Sequence, residues 1–130
     1  MKRAILLDTN VLLWALNDDR RLNRRVKSML SAATADVRVS VVSAWEIAIK
    51  CQSGKLSFDV PAEEVLSRIL AGIVWPVLPV LPSHIPELLE LPLLHRDPFD
   101  RMLIAQARAE GMTLATMDAD IRRYKVPTIP

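Results

Sequence analysis

Cysteine is almost missing. Cys51 is the one in the chain, so no internal disulfide can form, and no Cys/His set has the spacing of zinc ligands. A reducing, cytoplasmic setting is therefore expected. Glycine is scarce too: three residues, in a chain that is 51% hydrophobic and 25% charged, which excludes collagen-like, low-complexity and disordered classes. An excess of one charge is lacking as well. Seventeen Lys and Arg against fifteen Asp and Glu leave +2, so net charge alone announces no nucleic-acid partner. Nor is there an unbroken apolar run long enough for a bilayer. The most apolar stretch, Ile73 to Leu94, is interrupted by Pro76, Pro79, Pro82, Pro86 and Pro92, whereas a spanning helix needs about 20 apolar residues. The apolar start is cut at Asp8 and Asn10 and lacks a small-residue cleavage site, so it does not read as a secretion signal. The length of 130 residues suits one domain over 1–130.

What is present alternates between strand and helix signals. Ile5 to Leu7 is a short apolar run, the mark of a parallel strand buried on both faces. Val11, Leu12, Trp14 and Ala15 follow at helical spacing, and a second helix is expected over Leu22 to Ala33 with Val26, Met29 and Leu30 inward. Val37, Val39 and Val41 alternate with polar residues as a second strand, after which Ser43 is the expected cap of a helix reaching Lys50. Pro61 to Leu70 has acids in its first turn and Gly72 beyond its end, and reads as a helix. The proline-punctuated segment suggests a strand near Val77 to Val80 and a helix from Ser83 to Leu89. Asp97-Pro98-Phe99-Asp100 reads as a cap, a first-turn proline and a first-turn acid of a helix running to Glu110 and stopping at Gly111. Thr113 to Thr116 and Val126 to Ile129 are the last expected strands. This order implies an α/β fold with a mainly parallel sheet.

Asp8 and Asp118 each follow a strand, so both belong at the carboxyl edge of a parallel sheet, where ligands bind in open α/β folds. Glu46, about one turn into the helix after the second strand, and Asp100, at the start of its helix, can reach the same edge. Four carboxylates gathered there repel one another unless a cation neutralises them. Oxygen ligands without His or Cys suit Mg²⁺ or Mn²⁺, and such a site hydrolyses phosphodiesters with water as nucleophile. Each acid also has a plain structural role open to it. Asp8 can cap the first helix, Asp118 can cap a terminal turn, Asp97 and Asp100 can together serve a helix dipole, and Glu46 with Lys50 makes a favourable surface pair alongside Ser43. His84 and His95 read as a helix-start residue and a loop residue. Trp14, Trp45 and Trp75 read as packing residues. Arg20, Arg21, Arg24, Arg25 and Lys27 form either a solvated face or a phosphate-binding patch.

Leu6 to Trp14 (LLDTNVLLW), Ser43 to Lys50 (SAWEIAIK) with Gly54-Lys55-Leu56, His95 to Arg101 (HRDPFDR) running into Leu103 to Ala107, and Thr116-Met117-Asp118 together resemble the four motifs of PIN-domain ribonucleases, in particular VapC-type toxins of toxin–antitoxin pairs. The resemblance covers nearly the whole chain. It implies a three-layer α/β/α sandwich, a homodimer, and a divalent-metal endoribonuclease that cuts RNA and is restrained by a cognate antitoxin protein. Carried over by motif position, the catalytic and metal-binding acids are Asp8, Glu46, Asp100 and Asp118, with Thr9 and Thr116 as supporting hydroxyls. Asp97 and Asp120 stand close enough to compete for the third and fourth places. Asp100 is preferred because Asp97 has capping work before Pro98, and Asp118 because it lies nearer its strand. Asn10 stands where relatives in this branch often carry His.

Two rival classes have sequence features against them. A phosphoacceptor signalling module wants adjacent acids after its first strand, whereas Asp8 stands alone there. A non-catalytic RNA- or antitoxin-binding relative is expected to have lost acids, and all four persist.

Overall fold

The structure, a computed structural model, describes residues 3–130. Met1 and Lys2, where the expected domain and the signal-like start begin, lie outside the described residues. At its centre is β1 (Ile5–Leu7), buried at every position. Two strands flank it in parallel, β2 (Val37–Ser40) with Leu6 opposite Arg38, and β4 (Thr113–Ala115) with Leu6 opposite Leu114. β3 (Val77–Leu78) lies outside β2 and β5 (Thr128–Ile129) outside β4, so the all-parallel order is β3-β2-β1-β4-β5.

Seven helices cover this sheet: α1 (Thr9–Leu16), α2 (Arg24–Ser31), α3 (Val41–Gln52), α4 (Ala62–Leu70), α5 (His84–Glu90), α6 (Pro98–Glu110) and α7 (Ala119–Arg122). Successive strand side chains point to opposite faces, and the core divides accordingly. Ile5 and Leu7 pack with Val11, Leu12, Val26 and Ile47 on the face of α1, α2 and α4. Leu6 packs with Leu103, Ile104, Met112 and Ile121 on the face of α5, α6 and α7. α3 sits at the border, giving Val42 to one cluster and Ile47 to the other. The result is the expected three-layer α/β/α sandwich.

The departures from expectation are local. β2 ends at Ser40, not Val41, because the Ser40 hydroxyl accepts a hydrogen bond from the Val42 N–H at 3.0 Å and caps α3. Ser43, the expected cap, is instead buried inside that helix. Asn23 caps α2 through the Val26 N–H at 2.9 Å, leaving Leu22 outside, and the helix stops at Ser31 rather than Ala33. Pro79 and Pro127 lack an N–H for a ladder, and the strands beside them are only two residues long. α5 begins at His84, and Ser83 makes no capping bond. The terminal turn after Asp118 is the short helix α7, which Asp118 caps by accepting from the Asp120 N–H at 2.8 Å. Gly111 closes α6 in the left-handed conformation, φ 67°, as its position past Glu110 implied.

Capping is one of two tasks for Ser40. Its hydroxyl also donates to Gln106 Oε1 at 2.6 Å, and Gln106 Nε2 donates to the Pro79 carbonyl at 3.3 Å. Beside them His84, far from being a simple helix-start residue, is fully buried. Its Nδ1 accepts from the Leu81 N–H at 3.0 Å and its Nε2 meets Glu110 Oε2 at 2.8 Å. Strand β2, the β3–α5 connection and α6 are thus joined through satisfied buried polar groups, which an apolar contact would leave free to slide. Gln106→Ala strands the Ser40 hydroxyl and the Pro79 carbonyl and opens a cavity. It should cost about 2–4 kcal/mol, read as a lowered urea midpoint at unchanged slope.

Candidate functional site

From β1 the chain moves outward through β2 and β3, then crosses back to place β4 on the other side of β1. At that reversal the connections leaving β1 and β4 part, and a crevice opens at their carboxyl ends. Asp8 leaves β1 there, its N–H donating to the Ala115 carbonyl of β4 at 3.0 Å. Asp118 follows β4. α6 runs antiparallel to the strand it precedes, so its first turn, with Asp97 and Asp100, reaches the same edge. α3 brings Glu46 and Lys50 from the β2 side. A small cavity of about 70 Å³ is lined by Asp8, Thr9, Asn10, Glu46, Lys50, Asp97, Asp100 and Asp118. The fold therefore brings together the four carboxylates expected from the motifs, with Asp97 beside them.

Several of these acids do cap helices, but capping uses one oxygen of each. Asp8 Oδ1 accepts from the Val11 N–H at 2.7 Å. Asp97 Oδ1 accepts from the N–H groups of Phe99 and Asp100 at 2.9 and 3.1 Å. Both residues also line the cavity. Asp120 is exposed, pairs with Arg123 at 3.5 Å and does not line the cavity. Thr116 is buried behind the site, its hydroxyl bonded to Asp8 and accepting from the Asp118 N–H at 3.1 Å. Thr9 donates to the Ser43 hydroxyl at 3.0 Å, which pins the start of α1 to α3.

The carboxylates are strained as charges. Burial pushes the Asp8 carboxyl up to about 6; the Thr116 hydroxyl and Val11 N–H favour its charged form, and the Asp118 and Glu46 charges oppose it. Asp100 is pushed up to about 7, first by burial and then by Asp97, against its contact with His95. Glu46 is not the surface residue its spacing allowed: it is 4% exposed. Its Oε2 pairs with Lys50 Nζ at 2.6 Å. Its Oε1 is the one buried side-chain polar atom without a hydrogen-bond partner among the described residues. A buried carboxylate oxygen with no donor is costly unless a cation meets it.

That orphaned oxygen and an all-oxygen donor set fit a hard divalent cation. Among the described residues no three Asp, Glu, His or Cys side chains close into a complete ligand set. A cation here would be met by one or two carboxylates and keep much of its water, as Mg²⁺ commonly does.

Other expected residues lie elsewhere. Arg20, Arg21, Arg24 and Arg25 are exposed around the start of α2, and none lines the acidic cavity. Arg21 is bound to Asp19 at 3.0 and 2.8 Å and lies over the Trp14 ring at 5.2 Å. The cation in the cavity is Lys50, held above its ordinary pKa chiefly by Glu46, with Asp97 and Asp100 adding to it. His95, read as a plain loop residue, meets Asp100 Oδ2 through Nε2 at 3.3 Å. Trp45 is not core packing: it is 61% exposed and touches Phe99 edge-on at 5.0 Å between ring centres. A separate groove of about 730 Å³ has Leu12 and Leu16 of α1, Val65 and Ile69 of α4, and Trp75 in its walls, together with polar residues that include Asp59 and Arg68.

The family model described as PIN domain matches residues 5–127. Ribonuclease VapC22 of Mycobacterium tuberculosis is 25% identical, over 95% of this chain and 94% of that protein. The crystal structure of FitAcB from Neisseria gonorrhoeae superposes with a TM-score of 0.70 at 22% identity, over 97% of this chain and 96% of that one. VapBC2 from Rickettsia felis, bound to a DNA fragment from its promoter, superposes with a TM-score of 0.72 at 16% identity, over 97% of each chain.

The raised carboxyl pKa values have a sign that can be tested. A group whose folded pKa lies above its unfolded value stabilises fully below the unfolded value, 3.8 for Asp8, and that contribution is lost as pH rises through about 6. Asp8→Asn keeps the cap and removes the charge. In chelator at alkaline pH it should be more stable than the wild type by on the order of 2–3 kcal/mol, the gap closing as pH falls toward 4. Equal urea midpoints at pH 8 (about two units above the folded pKa) would contradict this account of the buried charge.

Proposed function

Because this chain belongs to the PIN-domain family, we propose that it is a Mg²⁺- or Mn²⁺-dependent endoribonuclease, the toxin of a VapBC-type toxin–antitoxin pair acting in the cytoplasm. The observation that carries the reading is the buried, unpartnered Glu46 Oε1 within a cavity that also receives Asp8, Asp100 and Asp118. Asp8 and Asp100 are assigned as direct holders of the cation, and Glu46 and Asp118 complete the acidic site. When bound, the cation supplies Lewis acidity, lowering the pKa of water and offsetting charge that grows on the phosphoryl oxygens. The Thr116 hydroxyl steadies Asp8, and Thr9 fixes α1 against α3. Lys50, paired with Glu46 and lining the same cavity, would supply an ammonium beside the acids. No side chain needs to attack phosphorus, since water is the nucleophile.

The partners follow the same reading. VapBC2 and FitAB are DNA-bound by their descriptions, a similar structure from Klebsiella pneumoniae is described as a toxin–antitoxin complex, and the groove between α1 and α4, with apolar and polar residues in its walls, suits an antitoxin segment. A homodimer is supported by apolar side chains left in solvent on α3, on α5 and after it: Trp45, Ile49, Ile85, Leu89 and Leu93, the last two 86% and 88% exposed. None of the helices among the described residues is long and apolar enough to cross a membrane. Arg20, Arg24 and Arg25, which have no acidic partner among the described residues, are assigned to outlying RNA phosphates.

RNA cleavage should cease with chelator, return with Mg²⁺ or Mn²⁺, and fall to background in Asp8→Asn and Asp100→Asn. At limiting metal it should climb between about pH 6 and pH 8, because protons held by Asp8 and Asp100 compete with the cation for the same oxygens. More metal should move that rise to lower pH. Cleavage that survives rigorous chelation sinks the metal reading. Replacing Arg20, Arg24 and Arg25 by Ala in an Asp8→Asn background should flatten the salt dependence of RNA binding, by roughly 0.7 in slope per lost contact; an unchanged slope removes them from the RNA path.

A further inference from the structure

Tyr124, just beyond α7, is buried, and its hydroxyl oxygen is the meeting point of three groups. The His95 backbone N–H donates to it at 3.1 Å. Arg101 Nη1 donates to it at 3.1 Å. Neither donor can act as an acceptor, so both lone pairs of the phenol oxygen are engaged. The phenol hydrogen then points to the one acceptor left beside it, His95 Nδ1 at 2.7 Å. A bare Nδ1 on a neutral imidazole places the ring hydrogen on Nε2. That nitrogen faces Asp100 Oδ2 at 3.3 Å.

We infer that Tyr124 and His95 are positioning residues for Asp100: Tyr124 O–H donates to His95 Nδ1, and His95 Nε2–H donates to Asp100 Oδ2. The other tautomer would crowd three hydrogens onto a phenol oxygen with two lone pairs. It would also turn the Nε2 lone pair toward a carboxylate oxygen. The chain of bonds is anchored at its far end. Arg101 also donates to the Pro92 carbonyl at 2.8 Å and lies over the Tyr124 ring at 6.0 Å, while the His95 ring packs edge-on against Tyr124 at 5.3 Å between centres. Asp100 and Arg101 are neighbours on α6, one turned to the cavity and the other to the phenol. The loop before α6, the first turns of α6 and the segment after α7 therefore share one oxygen atom. With Oδ2 held by His95, Asp100 presents its other oxygen in a set direction, the means by which partners outside a metal's own ligands raise affinity.

The inference rests on Asp100 being a cation ligand, and its test separates the two. Tyr124→Phe removes only the hydroxyl and keeps the ring in the core. By calorimetry without RNA, its Mn²⁺ dissociation constant should rise about 10-fold or more over the wild type, with the circular dichroism spectrum and cooperative melting retained. His95→Ala should weaken binding at least as much. His95→Gln, whose amide can donate to Asp100, should recover most of the loss, which a merely structural role would not require. Nitrogen-15 NMR of the metal-free wild type should find the His95 ring hydrogen on Nε2, with that preference weakened in Tyr124→Phe. Wild-type Mn²⁺ affinity in Tyr124→Phe, or a ring hydrogen on Nδ1, overturns the inference. If the wild type binds no Mn²⁺, the metal reading fails, and the tautomer measurement still decides the hydrogen-bond chain.

Discussion

A carboxylate buried at the mouth of the central strand is the constraint around which the rest is arranged. β1 is enclosed on both faces and on both edges, so the residue that follows it cannot swing freely into water. Asp8 stays 4% exposed, and its charge is opposed by burial and by its neighbours Asp118 and Glu46. Each compensation nearby can be traced to this. The Val11 N–H and Thr116 hydroxyl donate to Asp8. The amino ends of α1, α3 and α6, which carry partial positive charge, are directed at the same edge. Lys50 reaches back along α3 to Glu46. These offset part of the repulsion and leave Glu46 Oε1 without a partner.

Holding acids together against repulsion demands a stiff frame, and α6 supplies much of it. Leu103 to Ala107 are buried without interruption, seating the helix on the sheet. Two polar networks then fix it on either side. One runs from Ser40 through Gln106 to the Pro79 carbonyl, with His84 and Glu110 alongside. The other runs from Arg101 through Tyr124 and His95 to Asp100. The first sets where α6 lies against β2, and the second sets how its first turn meets the cavity. An apolar interface would supply affinity between these elements without a defined register.

Much of this was legible in the sequence wherever a signal acts within one turn of chain. The apolar run Ile5 to Leu7 ending at an acid, the Asp97-Pro98 cap, Gly111 at the stop of α6 and the strand beginning at Thr113, which ends one residue short of the expected Thr116, are local patterns, and local sterics and hydrogen bonding suffice to read them. Knowing that the strands were parallel was enough to put Asp8 and Asp118 at one edge. Errors arose where two local signals compete. Ser40 and Ser43 both precede an apolar stretch, and the β-branched Val41 and Val42 suit a strand as well as a helix, so the cap lies at Ser40, three residues before the expected Ser43. Trp45 reads as a packing residue yet is exposed, because α3 is apolar on more than one side and the pattern does not mark which side faces out.

Contacts between distant segments were decided only by the tertiary structure. His95 and Tyr124 are separated by 29 residues and Ser40 and Gln106 by 66, and no periodicity links such positions. The burial of Glu46 follows from the packing of α3 at the border of both cores, which its four-residue spacing from Lys50 does not reveal. The order of β1 between β2 and β4 decides which loops share the crevice, and thereby which acids repel, which oxygen is orphaned and which lysine answers. The sequence by itself determined the identity and local setting of each carboxylate, since those depend on neighbours along the chain. Their mutual distances, their burial and their supporting bonds depend on how the sheet is ordered, and only the folded chain holds that information.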